Sequence, residues 1–240
     1  MIPLTDQQLE DFQEAIAWET AMRLPDGRVL GKPGKRGAIS EPGDFRVRAL
    51  DSRLDLADKR VLELGCHEGI HTVQLASLAR EVVGVEVRPK NVVGALTRLF
   101  IHGIGNAQIV LKDVRDLDTS FGSFNVLFHV GVLYHLLDPV EHLYRVAPLA
   151  EAILLDTHYE TPKTLRQRAD LEREGRRYTA YLVGEGGWAD SFSGVDSASR
   201  WLDRDALVTL VADVGFVRVE VLDDREERNG ARITLFARRA

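Results

Sequence analysis

The segment that most constrains the fold reads VLELGCHEG and spans residues 61–69. It begins as a short apolar strand, passes through an acidic residue and two glycines, and leads into a predicted helix from Ile70. Glycines allow a ligand to approach the backbone closely, and a helix start offers free N–H groups. This arrangement is typical of a nucleotide-type ligand site at the first turn of a doubly wound sheet.

Apolar strands and amphipathic helices alternate through most of the chain. We predict strands at 61–64, 81–87, 107–111, 125–130 and 152–156, and helices at 70–78, at 91–102 and from Asp138. The alternation predicts an α/β fold with a parallel sheet and helices on both faces. Residues 216–222 and 232–239 also alternate like strands, with the hairpin signal Asn229-Gly230 between them, and predict a closing antiparallel pair.

Composition bounds the class of protein. The chain has 240 residues, is 45% hydrophobic and carries a net charge of −6, which favours one sizeable domain and does not favour a nucleic-acid partner. Its one cysteine rules out an internal disulfide and suits the cytoplasm. We expect no membrane partner, because no apolar run approaches the ~20 residues of a membrane span and the N-terminus lacks a signal-peptide pattern.

Two further segments frame the predicted domain. Residues 1–57 predict an N-terminal helix and, over 25–44, a mobile basic loop that covers the site or is an ordinary surface connection. Residues 58–240 form the main domain, with a substrate-cap insertion at about 159–200. Its arginine-rich part, 164–178, is interpreted as a solvated helix with ion pairs or as a site for an anionic acceptor. Its Gly/Ser-rich part, 182–199, resembles a flexible lid flanked by Trp188 and Trp201, each of which would stack on an acceptor or pack in the core.

Five motifs follow one another in a familiar order: ELGCHEG, VVGVEV, LKDVRDL, FHVGVLYHLLDP and WLDRDALVTLVADVGF. Together they resemble the class I S-adenosylmethionine-dependent methyltransferases. GVLYHLLDPVEHL most resembles the subgroup that includes tRNA uridine carboxymethyltransferases and many small-molecule methyltransferases. The resemblance implies a Rossmann-like, seven-stranded, mostly parallel sheet with a C-terminal antiparallel strand pair, and S-adenosyl-L-methionine as cofactor.

The resemblance also implies a set of cofactor-binding residues. Glu63 would lie near the amino-acid end of the cofactor, Glu86 would accept hydrogen bonds from the ribose hydroxyls, and Asp113 would accept one from the adenine amino group. The full set is Glu63, Gly65, Cys66, His67, Gly69, Glu86, Asp113, Val114, His129 and Gly131.

One position departs from the family pattern, because His67 stands where the middle glycine is common. We interpret this as a feature of the subgroup. The rival is a dinucleotide-binding protein, but the G-x-G-x-x-G run it needs is missing from the sequence.

Catalytic candidates follow strands four and five. Methyl transfer from a sulfonium needs alignment and exclusion of water, and a hydroxyl acceptor also needs a base. His135 is the first candidate base, although histidine at this place is frequent in the family without a catalytic role. Asp156 and His158 would form an acid–base pair, a metal site or loop packing. No motif has metal-ligand spacing, so no metal site is predicted.

We therefore expect a methyltransferase that acts on a small-molecule acceptor, with O-methylation of a hydroxyl on a sugar or natural-product intermediate. Two alternatives stay open: a tRNA-modifying transferase, and a protein that binds the cofactor without catalysis. The sequence does not indicate the oligomeric state, and a homodimer is among the options.

Overall fold

The structure of the protein is a computed structural model that describes residues 1–33, 38–161 and 165–240. The described residues form two compact units, an N-terminal unit of residues 1–114 and a C-terminal unit of residues 115–240. No helix within these described ranges is both long and apolar enough to cross a membrane.

The N-terminal unit begins with a small element of its own. Helix α1 (Asp6–Ala15) starts with a capping box between Thr5 and Gln8. A three-stranded sheet follows, with β1 (Ala21–Arg23) between β2 (Val29–Gly31) and β3 (Ile39–Ser40), and helix α2 (Phe45–Leu54) comes next. The predicted loop over 25–44 is therefore wrong in part, because short strands with few apolar residues leave little periodicity to detect. Its basic centre, residues 34–37, lies outside the described residues.

The predicted βαβ pattern forms the rest of the N-terminal unit. Strand β4 (Arg60–Leu64) leads into α3 (Ile70–Ala76), β5 (Glu81–Glu86) into α4 (Pro89–His102), and β6 (Ala107–Leu111) follows. Strand β5 pairs in parallel with β4 on one side and with β6 on the other. The carboxyl ends of all three strands therefore meet at one edge of the sheet, where ligands bind in such folds.

The C-terminal unit continues the pattern. Strand β7 (Phe124–Val130), helix α5 (Pro139–Val146) and strand β8 (Ala150–His158) form a parallel unit, and helix α6 (Arg204–Asp213) follows the insertion. Strands β13 (Arg218–Glu227) and β14 (Gly230–Arg238) pair antiparallel, joined by a tight turn beside Gly230, and β14 pairs antiparallel with β8. The main sheet has seven strands in the order β13-β14-β8-β7-β4-β5-β6, which confirms the predicted fold class.

The described residues of the arginine-rich half, 165–178, do not form the suggested helix. Residues Leu171–Arg173 (β9) and Arg176–Tyr178 (β10) form a hairpin, whose turn residues Glu174 and Gly175 both have positive φ, 52° and 75°. Glu172 pairs across the hairpin with Arg177, rather than with Arg176 along a helix. The predicted flexible lid contains a second antiparallel pair, β11 (Ala180–Gly184) with β12 (Ala198–Leu202).

Carboxylates of the same unit engage most arginines of the hairpin region. Arg176 contacts Asp213 at 2.6 Å, Arg168 contacts Asp170 at 2.8 Å, and Arg173 pairs with Glu141. The ion-pair part of the prediction is therefore right, although the helix is wrong. An anionic acceptor would have to compete with these carboxylates.

A buried ion pair joins β8 to β14. The Asp156 side chain is fully buried, and one of its oxygens accepts hydrogen bonds from Nε (2.6 Å) and Nη2 of Arg232. The other accepts from Thr234 Oγ1 at 2.6 Å. The charge of Asp156 raises the pKa of Arg232 although burial alone would lower it. Asp156 therefore stabilises the strand pairing, which argues against the acid–base pair with His158 that was one of three predicted alternatives.

We expect Asp156→Asn to lower the free energy of unfolding by about 3–5 kcal/mol, because it leaves the buried Arg232 guanidinium with only the partly exposed Glu227, 3.5 Å away, as its counter-charge. Urea titration followed by circular dichroism measures this change. Asp223→Asn is the matched control, since Asp223 contacts Arg225 at 2.6 Å but its side chain is 36% exposed. The control should lose at most about 1 kcal/mol. Equal losses in the two variants would contradict a structural role for Asp156.

Candidate functional site

The carboxylate of Glu86 organises the ligand-binding edge of the N-terminal unit. Glu86 ends β5 and is 4% exposed. Its Oε2 accepts a hydrogen bond from the His67 backbone N–H at 3.0 Å, and its Oε1 accepts from the Arg88 N–H at 2.9 Å and from Asn91 Nδ2 at 3.2 Å. Burial raises the pKa of Glu86, and the hydrogen bonds oppose that rise. These donors fix the carboxylate while one acceptor position on Oε2 remains for a ligand hydroxyl.

Three loops meet around Glu86. The Cys66 N–H donates to the Val85 carbonyl at 3.0 Å, which places the glycine loop beside the end of β5. The Lys112 N–H donates to the Glu86 carbonyl at 2.9 Å, which places the loop after β6 on the other side. The structure thus brings together the loops that carry the first three predicted motifs.

The glycine loop, residues 65–69, is shaped by left-handed backbone conformations. Gly65, His67 and Gly69 have φ values of 64°, 51° and 77°. The histidine therefore adopts the conformation that a glycine would adopt more easily, and its N–H bond to Glu86 helps to hold it there. Gly69 also serves packing, because an added Cβ would lie 3.2 Å from the Cβ of Ala95 on α4.

Glu63 is a buried carboxylate within β4. It is 2% exposed, and its Oε2 accepts a hydrogen bond from Thr72 Oγ1 at 2.6 Å. Burial, with a smaller contribution from the charge of Glu86, raises the pKa of Glu63 to about 8. A cationic group placed beside Glu63 would therefore favour loss of its proton.

Cys66 packs against β5. A Cβ added at Gly84 would lie 3.1 Å from the Cys66 sulfur, so the glycine makes room for the thiol. Burial raises the pKa of Cys66 well above its usual value, which excludes an activated thiolate in this state.

The remaining predicted cofactor residues follow β6 and β7. Asp113 is partly exposed, directly after the Lys112 contact with Glu86, and Val114 is buried at the start of a short 3-10 turn. Gly131 has a φ of 76°, and its N–H donates to the Asp156 carbonyl at 2.9 Å. The His129 ring is fully buried with its Nε2 3.0 Å from His142 Nε2, and burial lowers its pKa to about 3. The His129 ring is therefore enclosed by the protein, which does not support a side-chain contact with the cofactor.

His135 is held by a carboxylate that the sequence did not reveal. Its Nδ1 lies 3.0 Å from both oxygens of Glu185, in the loop between β11 and β12. Glu185 also accepts hydrogen bonds from Ser199 Oγ at 2.8 Å and from Ser193 Oγ. Burial alone would raise the pKa of Glu185, but its hydrogen bond and charge interaction with His135, together with the two serines, lower it to about 2. A glutamate fifty residues from its partner gives no local sequence signal.

His158 lies beside a different carboxylate, with its Nε2 3.8 Å from Glu227 Oε2. Its side chain is 2% exposed, and its ring stacks on Trp201 with centroids 4.9 Å apart and planes 8° apart. Its Nδ1 lies 3.1 Å from the Ala231 carbonyl, and burial followed by the charge of Arg232 lowers its pKa. His158 and Trp201 are therefore packing residues, whereas Trp188 is 57% exposed.

A second carboxylate that sequence reasoning missed lies inside the glycine loop itself. Glu68 is 2% exposed and accepts hydrogen bonds from the backbone N–H groups of Glu19 and Thr20 at 2.8 and 2.9 Å. The ELGCHEG motif predicted roles for its glycines and for Glu63. It predicted none for Glu68, because the partners of Glu68 lie almost fifty residues earlier in the chain.

Comparison with known proteins agrees with this geometry. Residues 61–170 match a family model described as a methyltransferase domain. The solved N-terminal domain of EvdMO1 with SAH bound has a TM-score of 0.82 and 27% identity over 99% of this chain and 98% of that one. The same domain was also determined in the presence of SAH and D-fucose, with a TM-score of 0.78, 26% identity and the same coverage of both chains.

Curated relatives include a tRNA U34 carboxymethyltransferase from Methylococcus capsulatus, 30% identical over 102 residues, which are 42% of this chain and 32% of that protein. A ubiquinone biosynthesis O-methyltransferase from Xanthomonas oryzae pv. oryzae is 30% identical over 148 residues, 59% of each chain. The chain spans less than half the length of the tRNA-modifying relatives it matches. The ordered motifs, the seven-stranded sheet and these similarities support the predicted resemblance of the chain to the class I S-adenosylmethionine-dependent methyltransferases.

Proposed function

We propose that the protein transfers a methyl group from S-adenosylmethionine to a hydroxyl of a small molecule, such as a sugar or a natural-product intermediate. The observation that carries the cofactor part is the buried Glu86 carboxylate, held by three N–H donors beside a glycine loop of left-handed backbone. The structural neighbour determined in the presence of SAH and D-fucose supports a sugar-like acceptor.

The residues of the N-terminal unit fit this cofactor. Glu86 offers an oriented acceptor to a ribose hydroxyl, and the buried Glu63 offers a counter-charge to the ammonium of the methionine portion. Asp113 would accept from the adenine amino group, and the Val114 N–H would contact a ring nitrogen. The bound cofactor supplies an activated methyl group, so the protein has only to align donor and acceptor and to exclude water.

His135 is the proposed base for the acceptor hydroxyl. Glu185 holds its Nδ1 side, which fixes the ring orientation and stabilises the imidazolium formed when Nε2 takes up a proton. An amine acceptor in its neutral form would not need this base.

A second candidate function is tRNA modification, which the similarity to tRNA U34 carboxymethyltransferases favours. The net charge of −6 opposes it, because binding to phosphates depends on clustered cations. Titration with tRNA at low and high salt distinguishes the two. Tight binding that weakens steeply with salt would support the tRNA reading, and no binding at low salt would exclude it.

We expect Glu86→Gln to weaken binding of S-adenosylhomocysteine by about 1–3 kcal/mol, because a neutral amide is a poorer acceptor than a carboxylate for a ribose hydroxyl. Isothermal titration calorimetry measures the affinity. Glu81→Gln is the matched control, since Glu81 begins the same strand and pairs with Arg60 at 3.0 Å. The control should bind normally. Unchanged affinity in Glu86→Gln would remove the proposed cofactor placement.

We expect binding of S-adenosylhomocysteine to release a proton from Glu63. Its pKa is about 8 in the free protein, so the carboxyl is largely protonated at pH 7. The ligand ammonium lowers that pKa, so affinity rises with pH up to about 8 and levels off above it. Calorimetry at pH 7 in two buffers of different ionisation enthalpy counts the protons. Glu63→Gln should abolish the release, and identical heats for the wild type in both buffers would contradict it.

We expect His135→Gln to lower kcat about 100-fold or more while leaving affinity for S-adenosylhomocysteine unchanged. Glu185→Gln should cause a smaller decrease, because the ring then loses its orientation but not its basic nitrogen. Formation of S-adenosylhomocysteine with a panel of hydroxyl acceptors, beginning with D-fucose, measures the rate. His71→Gln, on α3, is the control. Normal turnover in His135→Gln would rule out His135 as the base.

A further inference from the structure

A short segment before β1, residues 18–20, is bonded directly to the glycine loop, and we call it the strap. Both oxygens of the Glu68 carboxylate are engaged by it. Oε1 accepts from the Glu19 N–H at 2.8 Å, and Oε2 accepts from the Thr20 N–H at 2.9 Å and from Thr20 Oγ1 at 2.5 Å. Hydrogen bonds to a buried charged group are among the stronger ones in proteins, so the strap and the loop move together.

The strap also contacts the start of α4. Lys90 Nζ lies 2.5 Å from Glu19 Oε1. Lys90 stands between Arg88 and Asn91, the two donors to Glu86 Oε1, while Glu68 directly follows His67, the donor to Glu86 Oε2. The strap therefore links the two pieces of chain that hold the Glu86 carboxylate from opposite sides.

Two further residues keep Glu68 in this position. Arg98 on α4 is fully buried, with its Nη2 3.7 Å from Glu68 Oε2 and its guanidinium 5.0 Å from the centre of the Trp18 ring. Gly94, one turn earlier on the same helix, makes room for the acid, because an added Cβ would lie 3.0 Å from Glu68 Cγ. A glycine inside a helix is less stabilising than an alanine, so the room for Glu68 is kept at a cost in helix stability.

We propose that Glu68 and the strap position the Glu86 carboxylate, so that docking of the strap and binding of the cofactor stabilise each other. This inference rests on the proposed function and names a positioning device for the same cofactor site. By thermodynamic reciprocity, a ligand that prefers the held position of Glu86 must also increase the order of residues 18–20. None of the strap residues needs to touch the cofactor for this coupling to operate.

Anchoring of the N-terminal helix alone is the competing explanation, and an isosteric pair of variants separates the two. Thr20→Val removes the hydroxyl bonded to Glu68, and Thr20→Ser retains it. We expect Thr20→Val to weaken binding of S-adenosylhomocysteine about 5- to 20-fold in calorimetry, and Thr20→Ser to restore affinity to within about 2-fold of the wild type.

Gln13→Ala is the matched control for loss of anchoring. Gln13 bonds helix α1 to β2 through the Val29 carbonyl at 3.1 Å and the Gly31 N–H at 2.6 Å, and the structure gives it no contact with Glu68. It should loosen the N-terminal element and leave the affinity within about 2-fold of the wild type.

Hydrogen exchange supplies a readout that a purely structural role would not move. Saturating S-adenosylhomocysteine should slow exchange of the Glu19 and Thr20 amides in the wild type and do so less in Thr20→Val. Wild-type binding with unchanged strap exchange, or equal affinities of Thr20→Val and the wild type, would overturn the coupling while leaving the proposed function intact. Failure of the wild type to bind S-adenosylhomocysteine would overturn both.

Discussion

The arrangement of the N-terminal unit depends on one buried carboxylate. Glu86 ends a central strand where water is largely excluded, so its oxygens must be satisfied by protein donors. Those donors come from the glycine loop and from the start of α4, and the main chain of Glu86 also accepts from the loop after β6. One acid thus fixes the relative positions of three loops, and a ligand that bonds to it meets a site already assembled.

In the C-terminal unit, two acidic residues have different partners and different roles. Asp156 is neutralised by Arg232 within the sheet and contributes to strand pairing, whereas Glu185 is held beside a histidine with 17% side-chain exposure. Burial decides between the two roles. A fully enclosed charge needs a fixed counter-charge, and a partly open imidazole keeps one nitrogen for a reacting proton.

The sequence predicted the sheet and the loops that carry the proposed cofactor residues, because strand and helix periodicity over long segments is a strong signal. It did not predict the hairpin at 171–178 or the strand pair around Glu185, because a short polar strand resembles a charged helix in composition. Asp156 and His158 are two residues apart on one strand, which suggested a shared role. The position of β14 instead brings Arg232 against both side chains, 2.6 Å from Asp156 and 3.5 Å from His158. Glu68 and Glu185 were missed because their partners lie about fifty residues away in the chain.

Gly94 carries a consequence for the recognition of similar chains. Glu68 lies directly before the last glycine of the first motif, and Gly94 lies near the middle of α4. These two positions form a correlated pair. A side chain at residue 94 would displace Glu68. A substitution at either position should therefore be accompanied by a substitution at the other. A search of protein sequences for this pair would distinguish chains whose N-terminal segment is bonded to the glycine loop from chains that lack such a segment.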